Sequence, residues 1–298
     1  MIRHFPGIAI LWLLVSTAPA FTDTYSFIAV GDIPYSETQT AEFTRSIEQM
    51  SEIDARFVIH VGDIKARVQP CEDWLYQERS ELYNRCAHPF VVLVGDNEFN
   101  DCPDPIAALE LFRKYFTKGN ESLGQSRIEL ERQTSPHYPE HVRWFEEGVA
   151  FVGLNVVGSA NHRDATDEWE ARTQAGISWL EESFAMAKEK ASPALVVAFQ
   201  ANPFGGQKGR EFSKPFAPIM DTLLNEANSF EGQVLFIHGD SHYFRWDIPF
   251  PSTKRKGAMT NLSRLEVFGS PNPHWVEVMV DPESPEVFSI KPHFLKED

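Results

Sequence analysis

Apolar, β-branched runs recur along the 298-residue chain, and four of them stop at the same dipeptide. FIAVGDIP ends its run at Asp32, FVIHVGDIK at Asp63, FVVLVGDNE at Asp96 and VLFIHGDSH at Asp240. Continuous rather than alternating apolarity predicts strands covered on both faces. The Gly before each Asp predicts a sharp turn as the strand ends. Strands are expected near 26–31, 57–62 and 90–95, alternating with helical stretches. The first of these is marked by Phe43, Ile47, Met50 and Ile53 at helical spacing. Further strands are expected near 149–154 and 195–200, with Ile177, Leu180 and Phe184 marking a helix between them. Phe216, Ile219, Met220 and Leu223 mark another helix, opened by Ser213 and Pro215. Strands near 233–238, 264–268, 275–280 and 286–289 follow. The early alternation implies a largely parallel sheet, and the strand-only C-terminal end implies antiparallel additions. The stretch 117–145 has no clean period and holds Gly119, Gly124, Pro136 and Pro139. It reads either as a functional loop, with His137, Tyr138 and His141 lining a pocket, or as a solvated loop.

In an α/β fold the carboxyl ends of the strands line one crevice, where ligands bind. Four carboxylates brought into one crevice repel each other unless a cation joins them. The pattern therefore predicts a metal site.

Composition narrows the setting. The chain opens MIRHFPGIAILWLLVSTAPA, with basic Arg3 and His4, an apolar stretch from Ile8 to Val15 and an A-x-A pattern at Ala18-Pro19-Ala20. That is the pattern of a secretory signal peptide over 1–20, followed by one domain over 21–298. No stable membrane insertion is expected, because the apolar stretch is too short to span a bilayer. The expected location is secreted or periplasmic. A formal charge of −16, with no basic stripe, argues against a nucleic-acid partner. Three cysteines suit an oxidising compartment with one disulfide. Cys71 and Cys102 both follow strands on the crevice side, whereas Cys86 precedes the Asp96 strand at the other end of the sheet. A helix over EDWLYQERSELY would hold Cys71 and Cys86 roughly 15–18 Å apart, too far for a bridge. Cys71–Cys102 is the expected pair. Asn120 and Asn261 open glycosylation sequons.

The Gly-Asp series, in this order, resembles the calcineurin-like metallophosphoesterase superfamily, which includes the purple acid phosphatases. The family pattern is Gly-Asp-x-His, Gly-Asp, Gly-Asn-His-Asp/Glu, a His closing a strand, then Gly-His-x-His. The resemblance covers essentially the whole mature chain. It implies a four-layer α/β/β/α sandwich of two mixed β-sheets flanked by helices, a two-metal centre and phosphoester hydrolysis. Position by position the match is partial. Asp32 is kept, but Pro34 stands at the histidine. Asp63 keeps the bridging aspartate. Asp96 replaces the ligand asparagine, and Asn97 the histidine that assists leaving-group departure. Gln200, or as a second choice Asn202, replaces the lone histidine. Asp240 replaces the first histidine of the last motif, and His242 is kept.

Imidazole is lost and oxygen gained. The metal shell implied is Asp32, Asp63, Asp96, Gln200, Asp240 and His242. Oxygen-rich shells suit hard ions, so Mn²⁺ or Mg²⁺ is expected first and Ca²⁺ is admitted, one or two ions per chain. Four aspartates neutralise two divalent ions, which weakens attraction of an anionic substrate and activation of water. Asn97 is expected to hydrogen-bond a phosphate oxygen. His238 and Arg245 are further candidates for the catalytic group beside His242. His60 points to the other face of its strand and reads as a packed histidine. The reading is an exported phosphoesterase acting on a small-molecule phosphoester. Its alternative is a catalytically weak or inactive metal- or ligand-binding module on the same fold.

Overall fold

The computed structural model describes residues 23–205, 211–250 and 257–296. The signal peptide expected over 1–20 lies outside them. Among the described residues no helix is long and apolar enough to cross a membrane.

Two sheets face each other. The five-stranded sheet contains β1 (Tyr25–Val30), β2 (Val58–His60), β3 (Phe90–Val92), β13 (Trp275–Val280) and β14 (Phe288–His293), in the order β14-β13-β1-β2-β3. β1, β2 and β3 are parallel, and β13 and β14 add antiparallel. The seven-stranded sheet contains β4 (Glu131–Gln133), β5 (Tyr138–Glu146), β6 (Val149–Gly153), β7 (Ala194–Ala198), β10 (Gln233–His238), β11 (Arg245–Asp247) and β12 (Leu262–Glu266). Its order is β11-β12-β10-β7-β6-β5-β4, with a parallel centre and antiparallel edges. A two-stranded ribbon, β8 (Phe204–Gly205) and β9 (Glu211–Phe212), stands apart.

Every central strand is covered on both faces, which is why its sequence is continuously apolar. One core lies between the sheets, around Phe27, Phe57, Phe151 and Val196. A second packs α1 (Glu37–Ser51), α2 (Asp73–Tyr83) and α3 (Pro105–Phe116) on the outer face of the smaller sheet, through Phe43, Tyr76 and Phe112. A third packs α5 (Thr166–Glu189) and α6 (Ala217–Ser229) on the larger sheet, through Leu180 and Met220. The layers are α/β/β/α. α6 starts later than its expected signals: Phe216 is its N-cap residue and a proline lies in its first turn.

The stretch 117–145 is not the long loop that its composition predicts. Its second half is β4 and most of β5, the antiparallel edge of the larger sheet. His141 does not line a pocket. It is buried within β5, donates through Nδ1–H to Gln133 Oε1 (2.8 Å), and lies under α5 close to Gly176. Cys71 and Cys102 are bridged, and Cys86 is a buried free thiol. Asn261 is committed to structure, donating through Nδ2 to Ala227 O (2.8 Å).

Candidate metal centre

Four of the parallel strands, β1, β2, β3 and β10, end along one crevice, and each delivers an aspartate two to four residues past its end. Three of the four glycines act differently from the expectation, and Gly62 (φ 122°) alone of them takes a positive φ. Gly31, Gly95 and Gly239 do not turn the chain; the left-handed conformation falls on Asp32 (φ 54°), Asp63 (φ 59°), Asp240 (φ 75°) and His242 (φ 59°) instead. Such backbone is uncommon for non-glycine residues and collects at functional sites. The glycines are needed for close approach. A Cβ on Gly95 would meet Asp63 Oδ1 at 2.2 Å, and one on Gly239 would meet Asp32 Oδ2 at 2.1 Å.

Asp32, Asp63 and His242 each offer a ligand atom, all within 4.8 Å of one another. His242 Nδ1 lies 2.8 Å from Ser270 O, a carbonyl that only an N–H can satisfy, so Nε2 carries the free lone pair. Asp32 is fully buried and receives the Asp240 amide on both oxygens (3.0 and 3.1 Å). Asp96 and Asp240 form the other side. The space above Gly158 lies 2.8 Å from Asp240 Oδ1 and 2.9 Å from Asp96 Cγ, so a side chain there would displace them. Ser159 Oγ donates to Asp96 Oδ2 (2.6 Å), while Asp96 Oδ1 is buried with no hydrogen-bond partner. The segment that carries Ser159 is a single turn, α4 (Gly158–Asn161), with Ser159, Ala160 and Asn161 all left-handed.

Charge in the crevice is unbalanced. Burial, then the neighbouring carboxylates, hold Asp32 and Asp63 well above the ordinary carboxylate range. Burial and Asp96 push Asp240 up to about 6. Among the described residues no lysine or arginine bonds any of the four aspartates. Lys65 is buried nearby, yet its Nζ donates to the carbonyls of Ala66 (3.2 Å) and Gln69 (3.1 Å). A buried carboxylate cluster without a cationic partner, an unpartnered Asp96 oxygen and an imidazole with its lone pair turned inward fit a divalent ion.

The remaining predicted residues divide. In Asn97 both Nδ2 hydrogens are used, on Asp63 Oδ2 (2.9 Å) and Tyr35 Oη (3.0 Å), and its backbone N–H donates to Asp63 Oδ1 (3.1 Å). It holds the Asp63 carboxylate. Gln200 Oε1 accepts from Gly158 N–H (2.6 Å), which turns its amide oxygen onto the backbone. His238 is fully buried against Phe236 and Phe204, and burial pushes it down to about 3, so it offers no proton at neutral pH. His60 packs among Phe43, Tyr83 and Phe90, on the helix side of its sheet. Arg245 Nε meets Glu266 Oε2 at 2.8 Å and remains partly exposed.

Two residues escaped the sequence reading. Glu98 is buried and accepts from three amides: Gly95 (2.5 Å) and Asp63 (3.1 Å) on Oε1, and Ile64 (3.1 Å) on Oε2. It ties the turn after β2 to the turn after β3. Tyr35 brings its hydroxyl into the crevice, 2.8 Å from Asp63 Oδ2 and 3.3 Å from His242 Nε2. The available signal was position: an aromatic with a polar tip, just past Pro34, where the family's histidine is missing.

No family model matches the chain, and a search of curated proteins finds no match. Solved structures do match. A dimetal phosphatase from Danio rerio aligns over 91% of this chain and 99% of its own, at 10% identity and a TM-score of 0.55. A structure of PhoD aligns over 91% of this chain and 69% of its own, at 12% identity and a TM-score of 0.59. A purple acid phosphatase from yellow lupin (Lupinus luteus) aligns over 91% of this chain and 54% of its own, at 10% identity and a TM-score of 0.55. At such identities the likeness is one of fold.

Proposed function

We propose that this chain, which has the fold of the calcineurin-like metallophosphoesterases, is an exported metal-dependent phosphoesterase acting on a small-molecule phosphoester. The observation that carries the reading is the convergence of Asp32, Asp63 and His242 within 4.8 Å, beside an Asp96 oxygen that has no partner. One half of the centre would be held by Asp32, Asp63 and His242, the other by Asp63, Asp96 and Asp240. Divalent ions there would supply Lewis-acid charge to a phosphoryl group and an activated water. Mn²⁺ or Mg²⁺ suits the oxygen-rich set best, with Ca²⁺ admitted.

The chain's own contribution is positioning. Asn97 and Glu98 fix Asp63 from the side chain and the backbone respectively. Asp240 N–H orients Asp32, and Ser270 O fixes the tautomer of His242. Arg245, partly exposed beside Glu266, would meet the outer part of an anionic substrate. With Asn97 saturated and His238 buried, neither supplies a proton to a leaving group. Substrates with leaving groups of low pKa, such as aryl phosphates, are therefore favoured over alkyl phosphates. Export is supported by the 1–20 segment and by the Cys71–Cys102 bridge.

The test is metal analysis of the purified protein together with a phosphoester panel assayed in Mn²⁺, Mg²⁺ and Ca²⁺. Turnover that depends on the ion and disappears in Asp63→Asn is expected. Turnover that survives Asp63→Asn sinks the mechanism. The lack of a proton from Asn97 or His238 favours one second reading, a binding module. Tight ion uptake without turnover on any phosphoester would establish it.

A further inference from the structure

The turn that carries Ser159 has a costly shape. Ser159 (φ 47°, ψ 50°), Ala160 (φ 59°, ψ 27°), Asn161 (φ 55°) and His162 (φ 55°, ψ 29°) are left-handed in succession, and none is a glycine. Left-handed residues normally occur singly, because each brings its Cβ against the following carbonyl. Four in a row persist only when the surroundings hold them. Arg172 on α5 is that hold. Its side chain is fully buried, and every one of its N–H donors is used. Nη1 donates to Asn155 O (3.0 Å), ahead of the turn, and to Asn161 Oδ1 (2.7 Å), within it. Nη2 donates to Asn161 O (3.0 Å). Nε (2.7 Å) and Nη2 (3.2 Å) also meet the carboxylate of Glu168, one helical turn back, which fixes the guanidinium. Asn161 Oδ1 in turn accepts from the Val157 N–H (3.3 Å), and Glu168 Oε2 accepts from His162 Nδ1–H (2.9 Å). Both ends of the turn are therefore tied to α5.

We propose that Arg172 is a positioning residue for the Asp63–Asp96–Asp240 half of the centre, an inference that rests on the crevice holding an ion. The opposite side of the turn bears on the aspartates. Gly158 passes against Asp96 and Asp240, and Ser159 Oγ occupies Asp96 Oδ2 (2.6 Å). By holding residues 158–162 left-handed, Arg172 keeps that hydroxyl in place, and Asp96 Oδ1, buried and without a partner, is left for the ion. Outer partners that orient a ligating carboxylate change metal affinity by roughly 10- to 100-fold. Asp32 and His242 take their orientation from elsewhere, from Asp240 N–H and Ser270 O. Loosening Arg172 therefore weakens one half of the centre and spares the other.

The test uses the full chain and Co²⁺ alone, whose visible spectrum reports its donors and coordination number. Arg172→Lys keeps a charge for Glu168 but cannot span the Asn155 and Asn161 oxygens. Ser159→Ala removes only the hydroxyl. Both are titrated with Co²⁺ by calorimetry and absorbance beside wild type and His242→Ala, after a thermal melt in chelator confirms folding. The expected result is that both variants weaken the ion that His242→Ala spares, by about tenfold or more, with shifted bands, and leave the other ion unchanged. Equal weakening of both ions, or of neither, overturns the proposal, because a merely structural arginine lowers the melt without choosing between them. It also falls if Ser159→Ala weakens that ion and Arg172→Lys does not. If wild type takes up a single ion that Asp96→Asn leaves untouched, the half that Arg172 serves is empty, and this proposal fails while the centre stands. A single ion that Asp96→Asn weakens must be weakened by both variants as well. If wild type takes up no Co²⁺, the reading of the crevice as a metal centre falls first. Should Arg172→Lys fail to fold, Glu168→Ala, which frees Arg172 Nε and Nη2 from a partly exposed position, takes its place with the same outcomes.

Discussion

Two regions of this protein bury carboxylates, and they treat them in opposite ways. On β5, Glu140 is nearly as buried as Asp32, but Arg113 grips it with two hydrogen bonds of 3.0 Å, and Asn155 adds a third. Burial alone would raise Glu140; the Arg113 pair outweighs it, and the carboxyl sits below its ordinary value. The buried Arg172 and Arg143 are also paired, with the partly buried Glu168 and the exposed Glu131. In the crevice the four aspartates have no such partner among the described residues, and Asp32, Asp63 and Asp240 are all pushed up. Burial and residue type are shared between the regions. What differs is the cation, built into the chain in one place and left to come from outside in the other. An acidic cluster identifies a ligand site when the chain, which elsewhere pairs its buried acids with care, declines to pair it.

The largest effect that could break this contrast lies in the paired region. Arg113→Ala would leave Glu140 buried and uncompensated, and should destabilise the protein by about 3–5 kcal/mol. Urea unfolding should show that loss equally with chelator and with Mn²⁺, because Arg113 contacts no group of the crevice. A loss below about 1 kcal/mol, the usual worth of a surface pair, would mean that the two regions are not as different as their geometry indicates.

Next comes the histidine of the same region. His141 is buried with Nε2 unpartnered, and burial pushes it down to about 4. Its folded pKa lies below the unfolded value of about 6.5. Between those two values the unfolded chain binds more protons, so stability falls as pH falls through this window and levels off beneath it. A shift of that size is worth up to about 3 kcal/mol. Urea unfolding of the metal-free protein at pH 7 and pH 4 should show a smaller difference in His141→Gln than in wild type. Equal differences would show that His141 becomes charged in the folded state without cost.

The same contrast explains what could be read from the chain. Asp32, Asp63, Asp96 and Asp240 were legible because strands buried on both faces are continuously apolar, and a polar residue ending such a run stands out. The parallel strands with antiparallel additions followed from the early alternation and the strand-only end. The Cys71–Cys102 bridge followed from which end of a strand each cysteine occupies. β4 and β5 were illegible, because an edge hairpin that carries Arg132, Arg143 and His141 inward toward partners shows neither a clean apolar run nor a clean alternation. The roles of Asn97, Gln200 and Tyr35 were illegible for another reason. Motif position fixes where a backbone is, but hydrogen-bond direction decides what a side chain does. Asn97 reached the centre as expected and spent both its donors on Asp63 and Tyr35. Left-handed backbone at Asp32, Asp63 and Asp240 ran against the expectation that glycine would do the turning, which held at Gly62.

The smallest expected effect is the sharpest, because it changes sign. Asp96 raises Asp63, Asp240 and Asp32 by its proximity, in each case behind burial. Asp96→Asn keeps an acceptor for Ser159 and removes one of the mutually repelling charges. In chelator the variant should therefore be more stable than wild type by about 1 kcal/mol, the worth of somewhat less than one pKa unit. With ions present the order should reverse. An ion at a hundred times its dissociation constant stabilises the folded state by about 2.7 kcal/mol, and the variant, with weaker affinity, should receive less of it. Paired melts of the two proteins in chelator and in Mn²⁺ read both signs at once. Crossing curves mean that the acids of the crevice repel until a cation arrives. Parallel curves, with the variant less stable in both, would make Asp96 an ordinary structural residue and remove the second half of the centre.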